Sequence, residues 1–413
     1  MLTKFKNEIG KFNNNFWILM GASFIDRLGG AILFPFFTLY VTAHFNVGMR
    51  HAGIIFAIFA VSNQIGSFIG GGLTDKIGRK SMVIFGIVSS GLTSIWMGYI
   101  DDLQVFYLAA AVSGLLDAAG GPAQQAMVAD LLPEKQRADG YGIWRVLSNL
   151  AVTFGPAIGA LVAGINFRLL FIGDALTSFI TALIVYRVLP ETKPEGDKDR
   201  PAETFGKTFL GYFRVLRDRP YIAFAVIGIL ANTVYIQMNS TLAVYMRDSH
   251  GFPIQYLGYI LSMNAAMVVV FQFWITRITS KHPPLIMMAL GTALYAIGFG
   301  MYGFIHGIWL FALAMVILTI GEMIVIPVSQ ALVAKFAPED MRGRYMAVYG
   351  FAWGVPFAVG PLLAGILMDQ YNPDWVWYAC GILGSIAALG YLALQRRAKH
   401  RFNHESAVES QPA

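Results

Sequence analysis

Charge and cysteine are what this 413-residue sequence lacks: only 13% of its residues are charged, and Cys380 is its one cysteine. A single cysteine excludes a disulfide scaffold. So little charge excludes a soluble fold of this length, since ordinary domains carry about a quarter charged residues and still expose much apolar surface. The glycines follow no three-residue period, which removes a collagen-like chain. There is also no G-x-x-x-x-G-K-[ST] phosphate loop, no spaced set of metal ligands and no nucleophile elbow. ATP-driven and enzymatic chemistry therefore have no support, and no metal or cofactor is expected. What fills the chain is hydrophobic, 56% of residues with 14% aromatic, far too apolar for disorder. A polytopic membrane protein is the class that remains.

The net charge is +6 and the pI about 9.2, a balance that in a soluble chain would raise nucleic-acid binding. Its distribution argues against that. Of 30 Lys and Arg, 25 gather at Lys4–Lys11, 76–80, 135–137, Arg187–Arg219, 277–281, 335–344 and Arg396–Arg401. Apolar runs of spanning length alternate with these clusters at 14–41, 50–72, 81–100, 105–130, 141–164, 168–189, 220–246, 254–275, 283–304, 308–335, 343–368 and 374–395. At about 20 residues per ~30 Å of hydrocarbon, these are twelve transmembrane helices, spans 1 to 12. The alternate short loops hold only Arg50, Arg168 and Arg247, so the positive-inside rule puts both termini in the cytoplasm. An inner, cytoplasmic-type cell membrane fits such short outer loops. The run at 14–41 is too long for a signal-peptide core and reads as the first span.

The chain repeats itself. Adding 205 carries Pro122 onto Pro327, Gln125 onto Gln330, Pro133-Glu134 onto Pro338-Glu339, Arg137 onto Arg342 and Gly155-Pro156 onto Gly360-Pro361, without a gap. The same shift carries Asp117 onto Glu322. The expected fold is therefore all-α, with two pseudo-symmetric six-helix bundles at 1–189 and 220–395, a cytoplasmic linker at 190–219 and a tail at 396–413. Within the linker, Phe205, Phe209, Tyr212, Phe213 and Leu216 have the spacing of an interfacial helix.

Between spans 2 and 3 the sequence reads Gly71-Gly72-Leu73-Thr74-Asp75-Lys76-Ile77-Gly78-Arg79-Lys80. This resembles the major facilitator superfamily, whose signature here is Gly, three residues, Asp, a base, one residue, Gly and two bases. Gly70–Gly72 are expected to let neighbouring helices approach closely, and Gly78 to allow the turn. The resemblance implies the major facilitator fold. It also implies that Gly71, Asp75, Lys76, Gly78, Arg79 and Lys80 form a cytoplasmic gate, with Asp130 as partner of the basic pair. Span 5 carries Gly142, Ala151, Gly155-Pro156 and Gly159-Ala160. It is similar to the antiporter motif of the superfamily's twelve-helix drug:proton branch, with alanine for glycine at 151 and 160. Small residues every fourth position make a flat face for helix crossing, and Pro156 bends the helix.

Six ionisable residues fall inside spans: Asp26, Arg27, Asp117, Arg145, Asp174 and Glu322. Such groups are functional candidates by default. Four acids against two bases leave two carboxylates without a fixed counter-charge. A carboxylate in that position takes and releases protons as cations or water come and go. Asp117 and Glu322, at the middle of pseudo-equivalent spans, are the first choice for proton or cation coupling, followed by Asp26. Asp174 is expected nearer the outer face, snorkelling or paired. Arg27, about 100° around the helix from Asp26, is expected to serve a different neighbour. Arg145, near the inner end of span 5, is a candidate either for the substrate cavity or for an ion pair with Asp130.

The leading expectation is a monomeric, proton-coupled antiporter. It would be powered by the proton gradient alone and export apolar or cationic small molecules by alternating access. A symporter or facilitator for a sugar or peptide stays open, as does a non-transporting sensor or lipid-handling protein on the same scaffold. Partners are the bilayer, the small-molecule substrate and protons, with no nucleic acid.

Overall fold

A computed structural model of the protein describes residues 12–193, 213–338 and 341–408, without the side chains of 75, 134, 135, 138, 342, 343 and 398–408. Lys4, Lys6 and Lys11, most of the interfacial helix expected from Phe205, and the side chain of the gate residue Asp75 lie outside what it describes.

Among the described residues every regular element is a helix, and twelve are long and apolar enough to cross a membrane. They are Asn14–His44, Met49–Thr74, Arg79–Gly98, Leu103–Asp130, Asp139–Ala163, Arg168–Val188, Arg219–Ser240, Ile254–Thr279, Pro284–Met301, Ile308–Phe336, Arg344–Gln370 and Asp374–Arg397. Polar side chains fix several of their starts. The carboxamide of Asn13 accepts the Phe16 N–H at 2.7 Å, and Asp102 accepts the Val105 N–H at 2.9 Å, each satisfying a donor that the first helical turn leaves open.

The described chain divides into two compact units, Met1–Arg200 with Leu242–Ala265, and Pro201–Thr241 with Ala266–Ala413. In the first unit span 1 packs on spans 5 and 6, span 2 on span 4, and span 3 on spans 4 and 6. In the second, span 7 packs on spans 11 and 12, and span 9 on spans 10 and 12. The second set repeats most of the first six spans further along, as the 205-residue shift demands. One core cluster of the first unit gathers Phe16, Met20, Met82, Met127 and Val185 from spans 1, 3, 4 and 6.

Two spans run differently from their sequence reading. Span 4 is two helices, Leu103–Ala119 and Gly121–Asp130, parted at Gly120 ahead of Pro122. Its counterpart keeps one helix through Pro327, where Val325 and Ile326 stand in place of the two glycines. Proline removes a backbone donor in both, but only span 4 has a glycine pair there, and Gly120, in helical conformation, lies so close to span 3 that a Cβ would be 3.0 Å from the Gly86 Cα. Span 7, expected to reach 246, stops at Ser240, and a short helix Leu242–Asp248 follows. There the Ser240 hydroxyl donates to the Ile236 carbonyl at 3.0 Å, and such side-chain bonds to the ladder's own carbonyls bend helices.

Candidate functional site

The break in span 4 lies just past Asp117, and helices interrupted at membrane depth are where transporters place ligand-binding groups. Asp117 faces a cavity of about 380 Å³ within the first unit. Asp26 and Arg27 of span 1, Asn63 and Ser67 of span 2, Ser90 of span 3, and Gln124 beyond the break also line it. The Ser113 hydroxyl, one turn earlier, donates to Asp117 Oδ2 at 2.6 Å, and Thr93 of span 3 donates to Oδ1 at 3.3 Å. Asp26 Oδ1 accepts from Ser178 of span 6 at 3.1 Å. Arg27, about 100° around the helix from Asp26, lines the same cavity.

Asp174 does not snorkel. It is only 9% exposed and packs against span 1 at Gly29, where an added Cβ would lie 3.0 Å from Asp174 Oδ1. Spans 1, 4 and 6 thus each bring one aspartate into the same unit, held by hydroxyls more than by bases. No three His, Cys, Asp or Glu side chains among the described residues converge as metal ligands.

Glu322 occupies the pseudo-equivalent place in the second unit with different company. Tyr235 of span 7 donates to Glu322 Oε1 at 2.9 Å. The Tyr235 ring in turn packs against those of Tyr295 and Trp353, at 5.6 and 5.8 Å.

The turn between spans 2 and 3, a single residue at Gly78, is tied down by residues far along the chain. Arg79 Nε lies 3.2 Å from Asp130 Oδ2, and the Thr192 hydroxyl reaches the same oxygen at 3.3 Å. That leaves Asp130 engaged with Arg79 rather than Arg145, which stands exposed on span 5. Glu191, just past span 6, accepts the backbone N–H groups of Arg79 at 2.8 Å and Lys80 at 3.2 Å, capping the helix of span 3. Gly78, at φ 119°, must be glycine for two reasons. Its backbone conformation disfavours side chains, and a Cβ there would sit 2.5 Å from Glu191 Oε2. Sequence reasoning missed Glu191, whose only signal was an acid directly after a span in a stretch read as linker.

Partial burial pushes the Glu191 carboxyl up, but backbone N–H groups of Lys193, Arg79, Lys80 and Thr192 outweigh it and hold the carboxyl below its ordinary value of 4.5. A depressed carboxylate contributes stability that is present above its unfolded value and lost as pH falls through the folded one. Glu191→Gln is therefore expected to lower the apparent melting temperature at neutral pH. It should also flatten the acid limb below the ordinary carboxylate range. Thermal unfolding of detergent-solubilised protein across pH tests this, and an unchanged acid limb counts against it.

The span 5 motif marks a helix crossing over part of its length. A Cβ on Gly155 would lie 2.5 Å from Ala31 Cβ, and one on Gly159 2.4 Å from the Ile32 carbonyl oxygen, so spans 5 and 1 meet backbone to backbone there. Pro156 sits within the continuous helix between them. Gly142 has no atom within 4 Å of its Cβ position and takes no part. Likewise the close approach expected over Gly70–Gly72 is confined to Gly70, together with Gly66. Gly71 touches only Pro122, at 4.0 Å, and Gly72 nothing. Side chains on a helix point in directions that advance by about 100° per residue, so only every third or fourth glycine faces the neighbour.

The Major Facilitator Superfamily profile matches residues 19–354 and 254–412. A Na(+), Li(+), K(+)/H(+) antiporter of Planococcus maritimus is 25% identical over 92% of this chain and 95% of its own. The multidrug resistance protein MdtH of Escherichia coli O1:K1 / APEC is 22% identical over 91% of this chain and 93% of its own. Crystal structures of a point mutant of the nucleoside transporter NupG and of a point mutant of a peptide transporter POT in complex with sulfate superpose with TM-scores of 0.78 and 0.75. They cover 92% and 93% of this chain, and 100% and 94% of their own. At 14% and 18% identity they show a shared fold.

Proposed function

The chain belongs to the Major Facilitator Superfamily, and from that premise we propose that it is a proton-coupled antiporter exporting apolar or cationic small molecules by alternating access. The observation that carries the reading is the shared cavity of Asp26 and Asp117, two carboxyls on different spans with hydroxyl partners. Groups so placed exchange a proton for a cation, because a low-dielectric site does not hold several uncompensated negative charges at once. Protonation from one side releases the cargo, and loss of the proton on the other restores the site. Asp174 and Glu322 extend the set of exchangeable carboxyls, and Arg27 limits the charge the cavity accepts. The segment Gly71–Lys80, where span 2 turns into span 3, gates access together with Asp130. The proton gradient is the only energy source and no cofactor takes part. The protein works as a monomer in a cell membrane, with both termini in the cytoplasm.

A second reading, an alkali cation as cargo, is favoured by the name of the Planococcus maritimus relative and by the hard oxygen donors around Asp117. Proteoliposomes with an imposed pH gradient separate the two. Gradient-driven flux of tetraphenylphosphonium supports the first, and flux of Na⁺ or K⁺ without it supports the second. If a gradient moves neither, proton antiport is wrong.

A further inference from the structure

Resting on the reading that both termini face the cytoplasm, we propose that the groove between spans 9 and 12 holds the tail of an anionic phospholipid of the inner leaflet, its phosphate drawn to Arg396 and Lys281. The groove lies wholly in the second unit and has a volume of about 1190 Å³. Its floor forms where the two backbones meet. A Cβ on Gly300 would lie 3.4 Å from the Gly381 Cα, and one on Gly384 2.9 Å from the Ala296 Cα. Ala293 and Ser385 continue the low floor, while Ile297 and Leu389, 53% and 65% exposed, stand as walls. The hydroxyls of Ser385 and Tyr378 donate to the Gly381 and Gly303 carbonyls at 2.7 and 2.8 Å, so both are satisfied within the protein and the groove asks only for an apolar occupant. From Ile286 to Phe304 it runs about 27 Å at the helical rise, close to the ~30 Å depth of the hydrocarbon.

The two ends of the groove differ. At one, the rings of Phe304 and Tyr378 lie 4.6 Å apart and bridge the two spans, and Asp374 opens span 12 on that side. The other end is basic. Tyr378, Ile382, Ser385, Leu389 and Leu392 line the groove at alternate steps of four and three, and the next step along the same helix is Arg396. Lys281 stands just ahead of span 9 at this end. Both bases are exposed and belong to none of the ion pairs among the described residues. An apolar channel ending in unpaired bases at the cytoplasmic surface matches a lipid whose tail and negative headgroup are taken up together. A zwitterionic headgroup brings its own cation and gains less. A second copy of the chain fits worse, because two-fold pairing about the membrane normal would set Arg396 and Lys281 of both copies at one depth, where like charges repel.

Titration of purified, delipidated protein with dioleoyl phosphatidylglycerol or dioleoyl phosphatidylcholine, read by native mass spectrometry, tests the site. The unsubstituted protein is expected to retain one phosphatidylglycerol more tightly than any phosphatidylcholine. Arg396→Gln is expected to weaken that binding by about 5-fold, the effect of one base near the surface, while phosphatidylcholine stays within about 2-fold. Arg187→Gln removes an exposed base from the same end of span 6 and is expected to leave the tight phosphatidylglycerol in place. Ala293→Leu fills the groove and should abolish tight binding, and Ser385→Leu does the same from span 12 if Ala293→Leu does not fold. Equal affinity for the two lipids, equal effects of Arg396→Gln and Arg187→Gln, or tight binding that survives a filled groove overturns the site, as does a dimer that either filling variant dissociates. Detergent has no sides, so these outcomes do not depend on orientation. Labelling of Arg396→Cys by an impermeant maleimide from outside intact cells would instead overturn the cytoplasmic reading and leave the groove site standing, filled from the outer leaflet.

Discussion

Asp117→Asn is expected to reduce pH-gradient-driven accumulation of substrate to the leak of protein-free liposomes, while exchange of labelled for unlabelled substrate persists. Asn has the shape of Asp, and its neighbours adapt to it. Ser113 and Thr93 carry hydroxyls that donate or accept by rotation, so one can donate to the amide oxygen and the other accept from the amide nitrogen. The folded protein therefore loses little, on the order of 1 kcal/mol for weakened hydrogen bonds. What it loses entirely is a group that binds and releases a proton. Substrate exchange needs only that the empty and loaded sites interconvert. Net uphill movement needs the coupled proton. Retention of gradient-driven accumulation in this variant removes Asp117 from the coupling role. Loss of both activities with intact folding shifts its role to substrate binding.

The twelve spans and the repeat between the two halves were legible in the sequence because their signals are local or strictly periodic. An apolar run about 20 residues long has few alternatives in a chain this poor in charge. The constant 205-residue shift makes one half a copy of the other, and the packing of span 7 on span 11 repeats that of span 1 on span 5. Embedded acids were legible as candidates for the same reason, since hydrocarbon makes each conspicuous. Their grouping was not. That Asp26 and Asp117 share a cavity depends on the rotation of two helices about their own axes, which packing decides.

Glu191 shows the other limit. It stands on the far side of spans 3 to 6 from Gly78, and no spacing rule connects a carboxylate after span 6 with open N–H groups at the start of span 3. The motif Gly71–Lys80 displayed its own glycine and bases but not the acid that caps them. The partners of Glu322, Tyr235 with its packed neighbour Trp353, were hidden differently. Aromatic residues make up 14% of the chain, and nothing in the sequence separates two rings beside a carboxylate from the many that pack helices. Likewise Gly120 and Gly121 were visible ahead of Pro122. What the sequence did not show is why the helix parts there and not at Pro327: Gly120 sits against the backbone of Gly86, where a Cβ would lie 3.0 Å from the Gly86 Cα.

Gly70→Ala is expected to destabilise the protein by about 1–3 kcal/mol, the range for overpacking a close-fitting interior, and Gly72→Ala to leave it as stable or up to about 1 kcal/mol more stable. A Cβ on Gly70 would lie 2.1 Å from the Ala119 carbonyl oxygen and 2.5 Å from Ala119 Cα. One turn earlier, Gly66 faces the Leu115 carbonyl in the same way, at 2.0 Å. These are backbone atoms, so no side-chain rotation relieves the contact, and spans 2 and 4 must separate along the ridge. Gly72 has nothing within 4 Å and controls for helix propensity, which favours alanine over glycine at both positions. Asp117 lies between Leu115 and Ala119, on the turn that would be displaced. Gly70→Ala should therefore also weaken gradient-driven transport in whatever fraction stays folded, whereas Gly72→Ala should not. Apparent melting temperatures in detergent and transport per folded molecule measure the two effects separately. A Gly70→Ala variant as stable as the unsubstituted protein would mean that spans 2 and 4 do not meet as closely as their backbones lie here.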